Sequence, residues 1–365
     1  MTIRGGLRNY PEVSFLRGFS ITTVILMHLL QVYTAGGNLP GWLRMAAAFG
    51  GTGGHMFFFC SGFGLYLSQM RREFSFPEFI RRRFLKIYLP YILVIVITWA
   101  YTYIGFGRAM NRELLSHILL YKMFIEKYEI SFGLQFWFLS TIIQLYLLFL
   151  PLCRLRKEVG MRKLVIISLC VSMGWWVFTW TTGLAAKRIW GSFCLQYLWE
   201  FVSGMAAAEY LAGKDHVNLS VGKLAVLAAV GIVLEAVMAI TGGLAAAFND
   251  IPAFFGYGAF AVLLYACCRR VIRPVFLRAD TISYGWFLVH VLSFSVCYEI
   301  FRVIGRHFQG SSLGVLAGAG RMPLPAGAEF LLAVLAVIVS LLFAWLYSRL
   351  LLNLRLREAG KNRRG

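Results

Sequence analysis

Ten apolar runs, each near twenty residues, leave this chain few ways to fold. A helix of about twenty residues crosses the roughly 30 Å hydrocarbon core of a bilayer, because each residue advances it by about 1.5 Å. The runs extend from Phe15 to Thr34, Ala47 to Met70, Ile87 to Phe106, Phe136 to Cys153 and Leu164 to Thr182, then from Trp190 to Ala212, Leu224 to Thr241, Ile251 to Cys268, Ile282 to Phe301 and Ala328 to Leu350. A content of 59% hydrophobic and 14% charged residues excludes a soluble globular fold and a disordered chain. The expected fold is an all-α polytopic membrane protein with about ten transmembrane helices.

The net charge of +20 invites a nucleic-acid reading, but its distribution argues against one. With the N-terminus inside, about 25 of the 36 Lys and Arg fall in cytoplasmic segments and about 10 in outer ones. That bias is what orients a membrane chain, so both termini are expected in the cytoplasm. The partner implied is membrane lipid, and no nucleic acid. The first run follows basic residues as a signal peptide would, yet nine further spans favour an uncleaved helix. No linker, repeat or long loop divides the chain. Residues 1–365 are expected to form a single integral-membrane domain, with a basic cytoplasmic tail from about 351 to 365.

Ionisable groups inside a spanning helix are expensive, and each is a functional candidate. The first run carries Arg17 and His28, which eleven residues of α-helix place on one face about 16 Å apart. Arg17 snorkelling to headgroups and His28 hydrogen-bonded to a neighbouring helix is the bland alternative. The second run, Gly-rich from Gly50 to Gly54, continues through His55 to Phe63. His55 either sits at the outer interface or faces His28 across a polar cavity. The fourth run places Trp137, Ser140 and Gln144 on one face, and the sixth holds Glu200 near mid-span. The ninth carries His290, seven residues after Ser283. Counted from the run boundaries, His28 is about 21 Å deep and His290 about 12 Å. Glu235 and Glu299 are embedded without an assigned role, and His117, His216 and His307 fall in loops, where solvation is the simplest state.

Ser75-Phe76-Pro77-Glu78 is a capping-box pattern, with Ser75 as N-cap and Glu78 reaching back to it. A short helix starting there presents Arg81, Arg82, Arg83 and Lys86 at the inner surface. Such a cluster either fixes topology beside anionic lipid or grips the phosphates of a cytoplasmic ligand. No metal is implied, because the His and Cys residues show no ligand spacing such as H-E-x-x-H or C-x-x-C.

Taken together, these segments resemble acyltransferase family 3, the membrane-bound carbohydrate O-acyltransferases. Arg17 and His28 resemble the family's Arg-(ten residues)-His motif in its first helix. His55 to Phe63 is similar to its phenylalanine-rich Ser-Gly segment, Arg81 to Tyr91 to its RRxxRIxPPY segment, Trp137 to Pro151 to its WSLxxExxxYLxxP segment, and Ile282 to His290 to its iSYxxYLxH segment. The order is the same along nearly the whole chain. Lys86 stands where an Arg is usual, Leu89 replaces a Pro, and Gln144 lies close to where many members have a Glu.

The resemblance implies an acyl-CoA-dependent O-acyltransferase in a bacterial cytoplasmic membrane. It would move an acyl group, acetyl in the simplest case, from cytoplasmic acyl-CoA to a hydroxyl of a cell-surface carbohydrate or glycolipid. His28 and Arg17 are the expected catalytic residues, with His55, Ser140, Gln144, Glu200 and His290 as candidate lining and Arg82, Arg83 and Lys86 as phosphate ligands. Acyl-CoA is a co-substrate, and no bound cofactor is expected. Many members append an extracytoplasmic hydrolase-like domain, and the match here lies without one, so direct modification of the acceptor or help from a separate protein is expected. The alternative from the same embedded residues is a transporter or flippase for a glycan or lipid.

Overall fold

The computed structural model describes residues 1–33, 47–307 and 326–361. The principal helices among the described residues are α1 (Pro11–Tyr33), α2 (Gly53–Arg71), α3 (Phe76–Arg83), α4 (Leu89–Phe106), α5 (Asn111–Ile118), α6 (Trp137–Val159), α7 (Met161–Thr181), α8 (Leu198–Ala212), α9 (Val221–Thr241), α10 (Asp250–Cys267), α11 (Ile272–His307) and α12 (Ala326–Lys361). Among the described residues, strand is confined to a ribbon pairing Thr2–Arg4 antiparallel with His216–Asn218. The chain divides into two compact units, residues 1–20 with 52–277 and residues 21–51 with 278–365, and the division falls within α1 and within α11.

Among the described residues, eight segments are long and apolar enough to cross a membrane: Pro11–Gln31, Phe76–Phe106, Leu134–Val159, Met161–Thr181, Val221–Thr241, Asp250–Cys267, Ile272–Ile304 and Phe330–Asn353. They correspond to eight of the ten expected runs, and the protein is a multi-pass membrane protein. The expected second and sixth runs are α2 and α8, of 19 and 15 residues, and neither is among the eight. Both are too polar or too short alone, and they pack on each other. A Cβ on Gly62 would stand 1.9 Å from the Phe201 carbonyl oxygen and one on Gly204 2.0 Å from that of Phe59. Only glycine permits that backbone approach, the usual device of membrane helix pairs.

The sixth run is broken where a continuous helix was expected. Residues 188–191 form one turn and Cys194–Tyr197 a 3-10 segment before α8 begins. Neighbouring helices satisfy the freed backbone. Thr141 Oγ1 donates to the Ser192 carbonyl (2.5 Å), Ser172 Oγ to that of Leu195 (2.7 Å) and Trp176 Nε1 to that of Gln196 (3.2 Å), while Gln144 Oε1 accepts from the Cys194 N–H (3.3 Å). Irregular backbone at membrane depth is tolerated where protein supplies such partners.

The core of the first unit gathers Phe15, Phe19, Met56, Trp176, Trp199, Phe254, Tyr257 and Tyr265. Edge-on and tilted ring pairs such as Phe15–Tyr265 (5.4 Å) and Trp199–Phe254 (4.8 Å) fill it. The ribbon brings the chain's first residues to the segment after α8, where the Met1 amino group donates to the Leu219 carbonyl (3.0 Å).

In the second unit Trp286 Nε1 donates to Ser340 Oγ (3.0 Å), tying α11 to α12. A Cβ on Gly285 would meet the Ser348 hydroxyl at 2.5 Å. The α1 portion joins through Thr23 Oγ1, which donates to the Gly50 carbonyl (3.4 Å).

Candidate active site

In the second unit His28 and His290 form one buried pair. Their rings stack 5.1 Å apart, 13° from parallel, with His28 Nδ1 2.9 Å from His290 Nε2. The expected 9 Å difference in depth is overturned. Helix α11 begins at Ile272, ten residues before the apolar run, because Arg273, Arg278 and Asp280 are accommodated within its first turns. Measured from the helix starts Pro11 and Ile272, the two histidines sit at nearly equal height.

The carbonyls of Phe287 (2.8 Å) and Trp286 (3.1 Å) face His290 Nδ1. A carbonyl only accepts, so Nδ1 carries the proton. With both rings neutral, His290 Nε2 then accepts from the Nδ1–H of His28, and the lone pair of His28 falls on Nε2. Phe294, edge-on at 5.7 Å, closes one side of the His290 ring.

In the first unit three helices begin around a second polar cluster. His55 is in the first turn of α2, Glu200 in that of α8 and Asp250 in that of α10. His55 Nδ1 contacts Glu200 Oε1 at 2.7 Å, and His55 Nε2 lies 3.8 Å from Asp250 Oδ1. Gln196 Nε2 donates to Asp250 Oδ2 (2.9 Å), and Thr52 Oγ1 donates to Glu235 (3.3 Å). The Tyr197 ring covers His55 edge-on at 5.3 Å and packs on Trp137 at 5.6 Å. One ligand atom from each of His55, Glu200 and Asp250 lies within 4.8 Å of the others, a donor set of the kind that holds a metal ion.

Arg17, half-buried on α1, belongs with this unit, as do Ser140, Gln144 and the basic cluster. Ser140 is buried. Gln144 is engaged in holding the broken backbone, as described above. Helix α3 forms where the capping box places it, and Ser75 Oγ accepts from the Glu78 N–H (3.4 Å). Glu78 does not reach back to Ser75. Its carboxylate pairs with Arg72 (3.1 Å) and Arg82 (2.8 Å), because charged partners outbid a backbone N–H. Arg83 instead lies over the rings of Phe79 (5.7 Å) and Tyr146 (5.8 Å), and its Nε is buried with no hydrogen-bond partner among the described residues. Lys86 is exposed on the π-helical turn Phe84–Tyr88 that joins α3 to α4.

His117 departs from its expected solvated state, whereas His216 is exposed and the His307 side chain lies outside the described residues. His117 is fully buried on α5, with Nδ1 2.6 Å from Tyr91 Oη and Nε2 2.9 Å from Ser131 Oγ. Burial, with a contribution from Lys122, lowers its pKa from 6.5 to about 2. Lys122 is itself 1% exposed, its Nζ 5.8 Å from the Phe136 ring centre with no hydrogen-bond partner among the described residues. Burial drops its pKa to about 7, with Glu129 opposing. No motif or spacing in this loop marks either residue as buried.

Glu299, embedded without a role in the sequence, pairs with Arg302 (2.6 Å). Asp250 was missed because it stands at the edge of an apolar run. Comparison with curated proteins and with solved structures finds no match. A family model described as an acyltransferase domain, that of acyltransferase family 3, matches residues 10–349. With its spanning helices and nearly the whole length accounted for, the chain belongs to that family and is a membrane acyltransferase.

Proposed function

We propose that the protein transfers an acyl group, acetyl in the simplest case, from cytoplasmic acyl-CoA to a hydroxyl of a cell-surface carbohydrate or glycolipid. The observation that carries this reading is the His28–His290 pair. A hydroxyl attacks a thioester only when something takes its proton, and imidazole does so near neutral pH. His28 Nε2 removes the proton as the acceptor oxygen bonds to the thioester carbon. The C–S bond breaks, and the imidazolium returns the proton to the leaving CoA thiolate. No covalent enzyme intermediate is required.

His290 is a positioning residue here. Its own Nδ1–H is fixed on backbone carbonyls, so its Nε2 selects the tautomer of His28 that presents a base at Nε2. Such an orienting partner is a recurrent feature of catalytic histidines. Arg17 is proposed to orient the donor or to stabilise developing charge, and Arg83, with Arg82 and Lys86, to bind the CoA phosphates. Arg82 is already engaged by Glu78, which leaves Arg83 the stronger candidate.

Purified protein in detergent or nanodiscs, given acetyl-CoA labelled in the acetyl group, should transfer label to a membrane glycan extract or release it slowly as acetate. A transporter or flippase would do neither, and absence of both with folded protein would contradict the proposal.

A further inference from the structure

We infer that His55, Glu200 and Asp250 form a binding site for one divalent transition-metal ion. The inference goes beyond the acyl-transfer proposal and does not rest on it.

Three observations carry it. The donor set is one imidazole and two carboxylates, each offering an atom within 4.8 Å of the others. Donors sharing one ion, at bond lengths of about 2.0–2.2 Å, stand roughly 3–4 Å apart. Glu200 meets His55 at Nδ1 and Asp250 approaches Nε2, so the ion takes Nε2 and the Glu200 carboxylate turns from Nδ1 to reach it. His55 Nε2 and Asp250 Oδ1 already lie 3.8 Å apart. The second observation is Glu200 Oε2, which is buried and has no hydrogen-bond partner among the described residues, in a residue of 0% exposure. A carboxylate oxygen desolvated without a partner costs several kcal/mol, and a coordinated cation removes that cost. The third is charge. Glu200 and Asp250, with Glu235 acting on His55 from α9, set three carboxyls against one imidazole.

The shell is partly organised. Gln196 fixes the other oxygen of Asp250 at 2.9 Å, and the Tyr197 ring holds the imidazole plane. Contacts to the far side of a ligand, like these, fix its orientation toward a metal. The side chains of His55 and Asp250 retain 17% and 15% exposure, which leaves a path for the ion and coordination positions for water or a substrate oxygen. Mixed imidazole and carboxylate ligation fits Zn2+ or Mn2+ better than Ca2+ or a thiolate-seeking ion. The ligands come from three helices, at positions 55, 200 and 250, so no sequence spacing reveals them.

The test uses the full chain in detergent, stripped with chelator and dialysed. Titration with Zn2+ and with Mn2+, followed by calorimetry and elemental analysis, should give one ion per chain at micromolar or tighter affinity and a raised Tm. Glu200→Gln and Asp250→Asn should each weaken binding at least tenfold while the metal-free Tm stays within a few degrees. Should one variant fail to fold, the other and the wild-type stoichiometry still decide. No saturable binding by wild type up to 100 times the protein concentration overturns the inference and leaves a proton shared by His55 and Glu200. Equal binding by wild type and both variants overturns it as well, by placing the ion elsewhere. Neither readout depends on acyl transfer, so the failure of one proposal is distinct from that of the other.

Discussion

His28 Nδ1 lies 2.9 Å from His290 Nε2, a contact between residues 262 apart in sequence that fixes the orientation of both rings. If His290 acts by holding that tautomer, His290→Phe should cut kcat by about 10- to 100-fold with little change in KM, since orientation is lost and donor binding is not. His290→Gln, whose amide oxygen offers an acceptor to the same N–H, should recover part of the loss. Steady-state kinetics on both variants checks this, and equal rates for wild type, Phe and Gln would make the pair purely structural.

The basic cluster separates into two kinds of arginine. Arg83→Gln should raise the KM for acyl-CoA several-fold with kcat largely retained, because phosphate contacts far from the thioester contribute nearly uniform binding. Arg82→Gln should do less, its guanidinium being held by Glu78. Arg83→Lys should recover only part of the affinity, lacking the bidentate fork. Unchanged KM in all three would leave the cluster a topology determinant.

Lys122 gives a pH signature to the loop between α4 and α6. Its pKa is about 7 in the fold against 10.5 in the open chain, so the open chain binds more protons between those values. Stability therefore rises with pH across that window, by up to roughly 1.4 kcal/mol per unit at this site. The burden is full below pH 7 and gone above 10.5. Lys122→Met should raise Tm most at pH 6, with the advantage shrinking toward pH 10. A pH-independent gain would show that the amine is not buried as described. His117 adds the same sign lower down, with stability lost as pH falls from 6.5 toward 2.

Gln144→Leu removes the acceptor of the Cys194 N–H and should destabilise the protein by about 1–3 kcal/mol. A thermal melt measures this. Loss of activity with an unchanged Tm would instead place Gln144 in the chemistry.

Hydropathy made most of the fold legible, because a span of twenty apolar residues has one economical structure in lipid. It failed at Trp190 to Ala212, where side chains from α6 and α7 support a broken backbone that no local pattern reveals. Arg17 and His28 stood out through their cost in an apolar helix. The depth of His290 was misjudged, since polarity at Arg278 and Asp280 ends the apolar run but not the helix. Asp250 stayed hidden at a run's edge, and its partnership with His55 and Glu200 is assembled from three helices. His117 and Lys122 show the converse error, because loops are usually solvated and this one buries both.

The most direct test of the acyl-transfer account is the rate of transfer from labelled acetyl-CoA by purified His28→Ala, with membrane insertion and Tm verified against wild type. A base at His28 requires the rate to fall at least 100-fold, the usual contribution of a positioned general base. Transfer above about a tenth of the wild-type rate would contradict it and return the His28–His290 pair to a structural role.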